Sequence, residues 1–271
     1  MNAIRPALFD THFHILDHRF PLSENQGFAP PVFTVADYRS RTRELDVRGG
    51  VVVAASFQGY DTSFMYDALG RLGPTFVGVI QVPPDVSDDE VLELDAAGVR
   101  AVRFNLFRGG SAGLADLDRL ARRVYELAGW HAELYVDLAA IGDDWTAIAK
   151  LPKASIDHLG MSSGGLRTLV RLAERGVRVK ATGFGRISVD PAVAMKALAA
   201  ANPDGLMFGS DLPSQRARRP FDVADIDSIR EAVGDALARQ VLFDNAVSFY
   251  RTRATPHADD EPEAKGKGVE K

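Results

Sequence analysis

Four residues of this 271-residue chain combine type and position in a way that invites chemistry: His12, His14, His158 and Asp211. His12 and His14 stand two apart in Asp10-Thr11-His12-Phe13-His14. On an extended strand such residues project to one side, so the two imidazoles would converge on one metal ion or one substrate oxygen. His158 closes the run Ser155-Ile156-Asp157-His158, and Asp211 closes Leu206-Met207-Phe208-Gly209-Ser210-Asp211. Each has a plainer reading, as a histidine bonded to backbone or an aspartate capping a turn. Their common place at the ends of β-rich runs argues for one shared site.

The elements that must position them follow from the hydrophobic pattern. Strands are predicted over Ala7–His14, Gly50–Ser56, Thr75–Gln81, Arg100–Asn105, Glu133–Leu138, Ala154–His158, Val177–Gly183 and Leu206–Asp211. Helices are predicted over Asp61–Leu72, Leu114–Ala128, Leu166–Arg175 and Pro191–Ala201, with a last one near Ala236–Tyr250 covering the barrel. Leu117, Leu120, Ala121, Val124 and Leu127 recur at the three- and four-residue spacing of a helix packed on a sheet. Strands alternating with helices imply parallel β-α units, and eight units closing on themselves make a single-domain (β/α)8 TIM barrel. An open doubly wound sheet is the alternative, but no GxGxxG follows the first strand. The barrel is assigned to residues 1–251. The charged tail 252–271 has almost nothing apolar and is expected to be disordered.

In a barrel, alternate strand residues face inward and active sites lie at the strands' C-terminal ends. On the fourth strand Val102 and Phe104 suit the helix side, leaving Arg103 and Asn105 to line the mouth, with Arg108 following in the loop. A guanidinium there suits bidentate recognition of a carboxylate, or simply pairs with a neighbouring acid. The fifth strand offers Tyr135 and Asp137, and the seventh Lys180 and Thr182 before Gly183-Phe184-Gly185-Arg186. Arg216, Arg218 and Arg219 follow the eighth strand in a loop that should also face the mouth; they read as solvated charges or, alternatively, as part of an anion-attracting rim.

Composition narrows the classes. The chain is 46% hydrophobic and 25% charged, ordinary for a globular protein with a sizeable core. A net charge of −5 argues against a general nucleic-acid binder. With no cysteine, disulfides, thiolate metal sites and cysteine nucleophiles are excluded. No secretory h-region opens the chain, and no apolar run approaches the roughly 20 residues that span a bilayer. A cytoplasmic enzyme acting on a small molecule, without membrane or nucleic-acid partners, is expected; nothing sets an oligomeric state.

The segments Asp10–His14, Ile156-Asp157-His158-Leu159-Gly160 and Phe208-Gly209-Ser210-Asp211-Leu212-Pro213 resemble the signature segments of the amidohydrolase superfamily. They are most similar to its amidohydrolase-related branch, which holds the pyrone dicarboxylate lactonases and several sugar lactonases. Ala55-Ser56-Phe57-Gln58-Gly59, Val102-Arg103-Phe104-Asn105, Lys180-Ala181-Thr182-Gly183 and the closing Asp244-Asn245-Ala246 extend the likeness to about Tyr250. The resemblance implies a hydrolase that opens a lactone, with an anionic or dicarboxylate cyclic ester as substrate. It implies Asp211 as general base, with His12, His14 and His158 stabilising the developing oxyanion by hydrogen bonds or positive charge. Arg103, Arg108 and Arg186 would hold substrate carboxylates, with Ser56, Tyr135 and Asn105 as neutral partners.

One departure bears on cofactors. Members with a full metal site usually place a histidine on the fifth strand and, when binuclear, a bridging lysine or glutamate on the fourth. Here those strands offer Tyr135 with Asp137 and Arg103 with Asn105. The expectation is chemistry without a metal, as in the pyrone dicarboxylate lactonase group; the alternative is one Zn²⁺ on His12, His14, His158 and Asp211. Other readings are a metal-dependent decarboxylase, a sugar-lactone hydrolase or isomerase, and a non-catalytic barrel that binds a small ligand.

Overall fold

The computed structural model describes residues 6–252 and 254. It contains one eight-stranded sheet in simple sequence order. The strands are β1 (Ala7–Phe13), β2 (Asp46–Val53), β3 (Phe76–Ile80), β4 (Val99–Asn105), β5 (His131–Tyr135), β6 (Ala154–Ile156), β7 (Arg178–Ala181) and β8 (Leu206–Phe208). Every neighbouring pair is parallel. Helices α1 (Val35–Thr42), α2 (Ser63–Leu72), α3 (Asp88–Ala96), α4 (Leu117–Ala128), α5 (Trp145–Ile148), α6 (Leu166–Glu174), α7 (Pro191–Ala201) and α8 (Ala224–Val233) follow the strands in turn. This is a (β/α)8 barrel.

The sheet closes at its top. Beyond the last rungs, the Asp211 amide donates to the His12 carbonyl at 2.6 Å and the His14 amide to the Leu212 carbonyl at 2.8 Å. The seam between first and last strands therefore runs through the residues singled out above.

Two apolar layers hold the fold. Between sheet and helices lie Leu8, Val52, Val102, Phe104, Leu120 and Val124, among others, so the assignment of Val102 and Phe104 to the helix side holds. Inside the barrel, Phe9, Val51, Val53, Val77, Val79, Ala101 and Met207 meet Phe243, Phe249 and Tyr250 of the C-terminal segment. That segment is helical from Asp235 to Tyr250, as expected, with a π turn inside it. It is α9 (Asp235–Arg239), a π turn over Gln240–Asp244 and α10 (Asn245–Tyr250), and it carries its aromatics into the barrel interior. Phe9 stacks on Tyr250 with ring centroids 6.2 Å apart.

The pattern names four of the helices between strands as examples; the others are α1, α3, α5 and α8. Helix α1 is short and starts with a capping box between Thr34 and Asp37, which satisfies two otherwise orphaned amides. The expectation of a disordered tail falls on residues outside those described, apart from Thr252 and Ala254. Among the described residues, no helix is long and apolar enough to cross a membrane.

Candidate active site

Simple alternation does not aim His12 and His14 inward. On β1, Leu8 faces the helices and Phe9 the interior, so even-numbered residues should point outward. The register against β2 slips: Asp10 pairs with Gly50 but Phe13 with Val52, an extra residue on β1. A bulge of this kind resets the facing of everything after it. Phe13 thereby stacks outside on Tyr38, with centroids 3.7 Å apart, while the His12 and His14 rings lie edge to face at 5.0 Å.

Asp10 holds this irregular stretch. Its Oδ1 accepts from the amides of Ser210 at 2.7 Å and His12 at 3.2 Å. Its Oδ2 accepts from the Ser210 hydroxyl at 2.6 Å and the Tyr38 hydroxyl at 3.0 Å. One buried carboxylate thus ties β1, α1 and the turn after β8 together.

His158 and Asp211 both lie just past their strands, in turns. His158, Leu159, Gly160 and Met161 all have positive φ, as does Asp211 at 58°. Side chains seldom adopt that region, and its local cost of order 1–3 kcal/mol persists only where surroundings enforce it. Here it swings the His158 ring to 4.8 Å from His12 and 4.9 Å from Tyr135. Gly183 makes room, since a Cβ there would lie 2.6 Å from His158 Nδ1.

At the centre, Asp211 Oδ1 lies 3.9 Å from His12 Nε2 and 3.8 Å from His14 Nε2, and accepts no hydrogen bond. Its other oxygen is taken: Arg186 donates to Oδ2 from Nε at 2.7 Å, with Nη2 in ion-pair contact at 2.6 Å. Burial pushes the Asp211 carboxyl up to about 6, against the opposing pull of Arg186. The three imidazoles go the other way. Burial first, and then neighbouring cations, depress His12 and His158 well below the usual range and His14 to about 3. They are neutral, so any help to an oxyanion comes from N–H groups and not from positive charge. His14 Nδ1 is 2.8 Å from the Val53 carbonyl, to which it must donate. Its inward Nε2 is then a bare acceptor.

Above this centre opens a cavity. All six residues expected to meet substrate line it: Ser56, Arg103, Asn105, Arg108, Tyr135 and Arg186. Their commitments differ. Arg103 is buried and donates to Asp157 Oδ2 at 3.0 Å, so it took the plainer role of pairing with an acid. Arg186 is occupied by Asp211 and by the Gln215 carbonyl, so it holds the Asp211 carboxylate in place. Asn105 accepts from the Arg108 amide at 2.9 Å and shapes that loop. The Tyr135 hydroxyl is buried without a partner.

Of the two readings for Arg216, solvated charge or part of an anion-attracting rim, its position fits the second. It lines the cavity, covers the rings of Phe28 and Phe57 at 4.7 and 5.1 Å, and donates to the Asn25 side chain at 3.1 Å. Its position depends on the first loop meeting the eighth, which no local pattern encodes. Neither Arg108 nor Arg216 forms an ion pair with a carboxylate among the described residues. Burial and the nearby Arg108 both lower the Arg216 pKa, so an anion between them would relieve mutual repulsion. Arg219, by contrast, is neutralised by Asp225.

A second polar layer beneath the site had no assigned role. Lys180 Nζ is 2.5 Å from Glu133 Oε2, 3.6 Å from Asp157 Oδ1 and 3.3 Å from His12 Nδ1. All four residues are fully buried. Charged residues in mid-strand were the available signal: the inward parity that selects Tyr135 also selects Glu133.

One donor atom from each of His12, His158 and Asp211 fits within 4.8 Å, with His14 Nε2 alongside. By residue type these donors could take a divalent cation, which would polarise a carbonyl and acidify bound water. The other acidic group, His12 with Glu133 and Asp157, already surrounds the Lys180 ammonium.

The fold and site define a barrel hydrolase with its reaction centre at the strands' C-terminal ends. Residues 9–252 match the amidohydrolase family, and the chain belongs to that family. It is 29% identical to the 4-sulfomuconolactone hydrolase of Rhizobium radiobacter, over 92% of this chain and 91% of the relative. It is 25% identical to the 2-pyrone-4,6-dicarboxylate hydrolase of Comamonas testosteroni, over 89% of each. A solved structure from Pseudomonas putida, put forward as a 2-pyrone-4,6-dicarboxylic acid hydrolase, superposes with a TM-score of 0.76 at 25% identity. It covers 93% of this chain, which covers 100% of that one.

Proposed function

We propose that the protein hydrolyses a lactone bearing two anionic groups, with Asp211 as general base. The observation that carries this reading is one cavity combining a buried base with a free oxygen and two arginines lacking carboxylate partners. The names of the relatives, both hydrolases of anionic lactones, support the same chemistry.

In this reading the lactone carbonyl sits over His12 and His158, and its anionic groups lie toward Arg108 and Arg216. Water attacks the carbonyl carbon while Asp211 Oδ1 takes its proton. The carbonyl oxygen becomes an oxyanion held by imidazole N–H groups. Collapse breaks the ring C–O bond, and the proton held by Asp211 passes to the departing oxygen, giving a ring-opened hydroxy acid or its tautomer. His14 Nε2, an acceptor, holds the attacking water. Arg186 occupies Oδ2, so Oδ1 alone faces the water.

The screen that tests this is acid release from lactones with two, one or no carboxylate or sulfonate groups. Turnover confined to anionic lactones is expected; a preference for uncharged sugar lactones would overturn the arginine assignments. A charge-assisted hydrogen bond contributes about 1.5–3 kcal/mol. Arg108→Met and Arg216→Met should therefore each raise KM for a dianionic lactone by roughly 10- to 100-fold. Their KM for a neutral lactone should stay within about 3-fold.

The reaction is proposed to need no resident metal. Arg186 bound to Asp211, Lys180 beside His12 and Arg103 bound to Asp157 set three cations around the donors a dication would use. Dialysis against a chelator, with metal analysis of the purified protein, should leave turnover intact at far below one metal per chain. Loss of turnover on stripping, with recovery on adding Zn²⁺, would sink this part of the proposal.

A further inference from the structure

We infer that Lys180 is a positioning residue that sets the tautomer of His12, making its Nε2 an N–H donor aimed at the reacting carbonyl. This rests on His12 polarising the substrate. The argument starts from what surrounds His12 Nδ1. Three groups are near: Lys180 Nζ at 3.3 Å, in hydrogen-bonding geometry, Asp157 Oδ1 at 3.4 Å, and Glu133 Oε1 at 3.9 Å, which accepts no hydrogen bond. Asp157 Oδ1 accepts no hydrogen bond, so the aspartate does not receive an Nδ1 proton.

Lys180 is anchored by Glu133 Oε2 at 2.5 Å, and Glu133 is itself fixed by the Tyr250 hydroxyl at 3.3 Å. An ammonium has three N–H groups and no acceptor. It can only donate to Nδ1, so Nδ1 must carry the lone pair. The proton of a neutral imidazole then sits on Nε2, an atom buried without any protein partner. That orphaned N–H, 3.9 Å from Asp211 Oδ1, is placed where an oxyanion would form beside the base.

The consequence is a division of labour within one H-x-H segment. His14 gives its Nδ1 proton to the Val53 carbonyl and presents an acceptor; His12 accepts from Lys180 and presents a donor. A histidine protonated on Nε2 has no lone pair there, so His12 in this state could not ligate a metal through that atom.

The first test needs no substrate and therefore separates this inference from the lactonase reading. In protein labelled with ¹⁵N-histidine, with His12 signals assigned by their loss in His12→Gln, the wild type should show the Nε2–H tautomer. An Nδ1–H tautomer overturns the inference. The second test is Lys180→Met combined with Glu133→Gln, which removes both buried charges together. His12 should then turn its Nδ1 proton to Asp157 Oδ1 and show the Nδ1–H tautomer. On an anionic lactone, kcat should fall about 10²- to 10³-fold, the usual effect of losing an oxyanion donor, with KM within about 3-fold. A variant that keeps the Nε2–H tautomer, or wild-type kcat, overturns it as well. If it fails to fold, the wild-type spectrum still decides.

Discussion

Replacing Asp211 with Asn should lower kcat by about 10³-fold, within the range general-base catalysis supplies, and leave KM within a few-fold. The amide can still accept from Arg186 at one oxygen, and the cavity that holds the anionic groups is untouched. What is lost is the unpartnered carboxylate oxygen that faces His12 Nε2 and His14 Nε2. Asparagine cannot take a proton from water at that place. Turnover within about 3-fold of wild type would remove Asp211 from the mechanism. The pH profile checks the same residue. Burial raises its carboxyl to about 6, and the base works only when ionised. In the wild type kcat/KM should fall tenfold per pH unit below about 6 and level off above it. Because the imidazoles are depressed and already neutral there, no second acid limb from histidine is expected near neutrality. Asp211→Asn should abolish the limb along with the rate.

Replacing Asp10 with Ala should cost about 3–5 kcal/mol of stability, at the high end for a point substitution. Four donors converge on that carboxylate, from His12, Ser210 and Tyr38. Removing it leaves several buried groups unpaired, at about 1–3 kcal/mol each. Some relief follows from not having to bury the charge, since desolvation pushes the Asp10 carboxyl upward despite its hydrogen bonds. Urea denaturation followed by far-UV circular dichroism would measure the loss. A shift below about 1 kcal/mol would show that the staple is redundant. Asp10 touches neither the cavity nor Asp211, yet it fixes the bulge that turns His12 and His14 inward. Activity of the folded fraction should therefore also drop, through misplacement of groups that are chemically intact.

Much of this protein was legible before any coordinates. The alternation of strands and helices specifies a closed barrel because each parallel pair needs a crossover and both faces of the sheet must be covered. Strand parity points Arg103 and Asn105 to the mouth, the family resemblance implies Ser56, Arg108, Tyr135 and Arg186 beside them, and all six line one cavity. It also placed Val102 and Phe104 against the helices.

What tertiary structure alone decided is how those residues are engaged. Strand parity puts His12 and His14 on one side but cannot say which side, because the bulge after Asp10 depends on bonds to Ser210, 200 residues away. Arg103 and Arg186 look alike in sequence to free anion binders, but each meets a carboxylate whose neighbourhood exists only once the barrel closes. Arg216 looks like a solvated charge and becomes a cavity wall when the first and eighth loops meet. The tautomers follow the same rule. Residue types determine that imidazoles stand at the strand ends; the Val53 carbonyl and the Lys180 ammonium, brought in by other strands, determine which nitrogen each one offers.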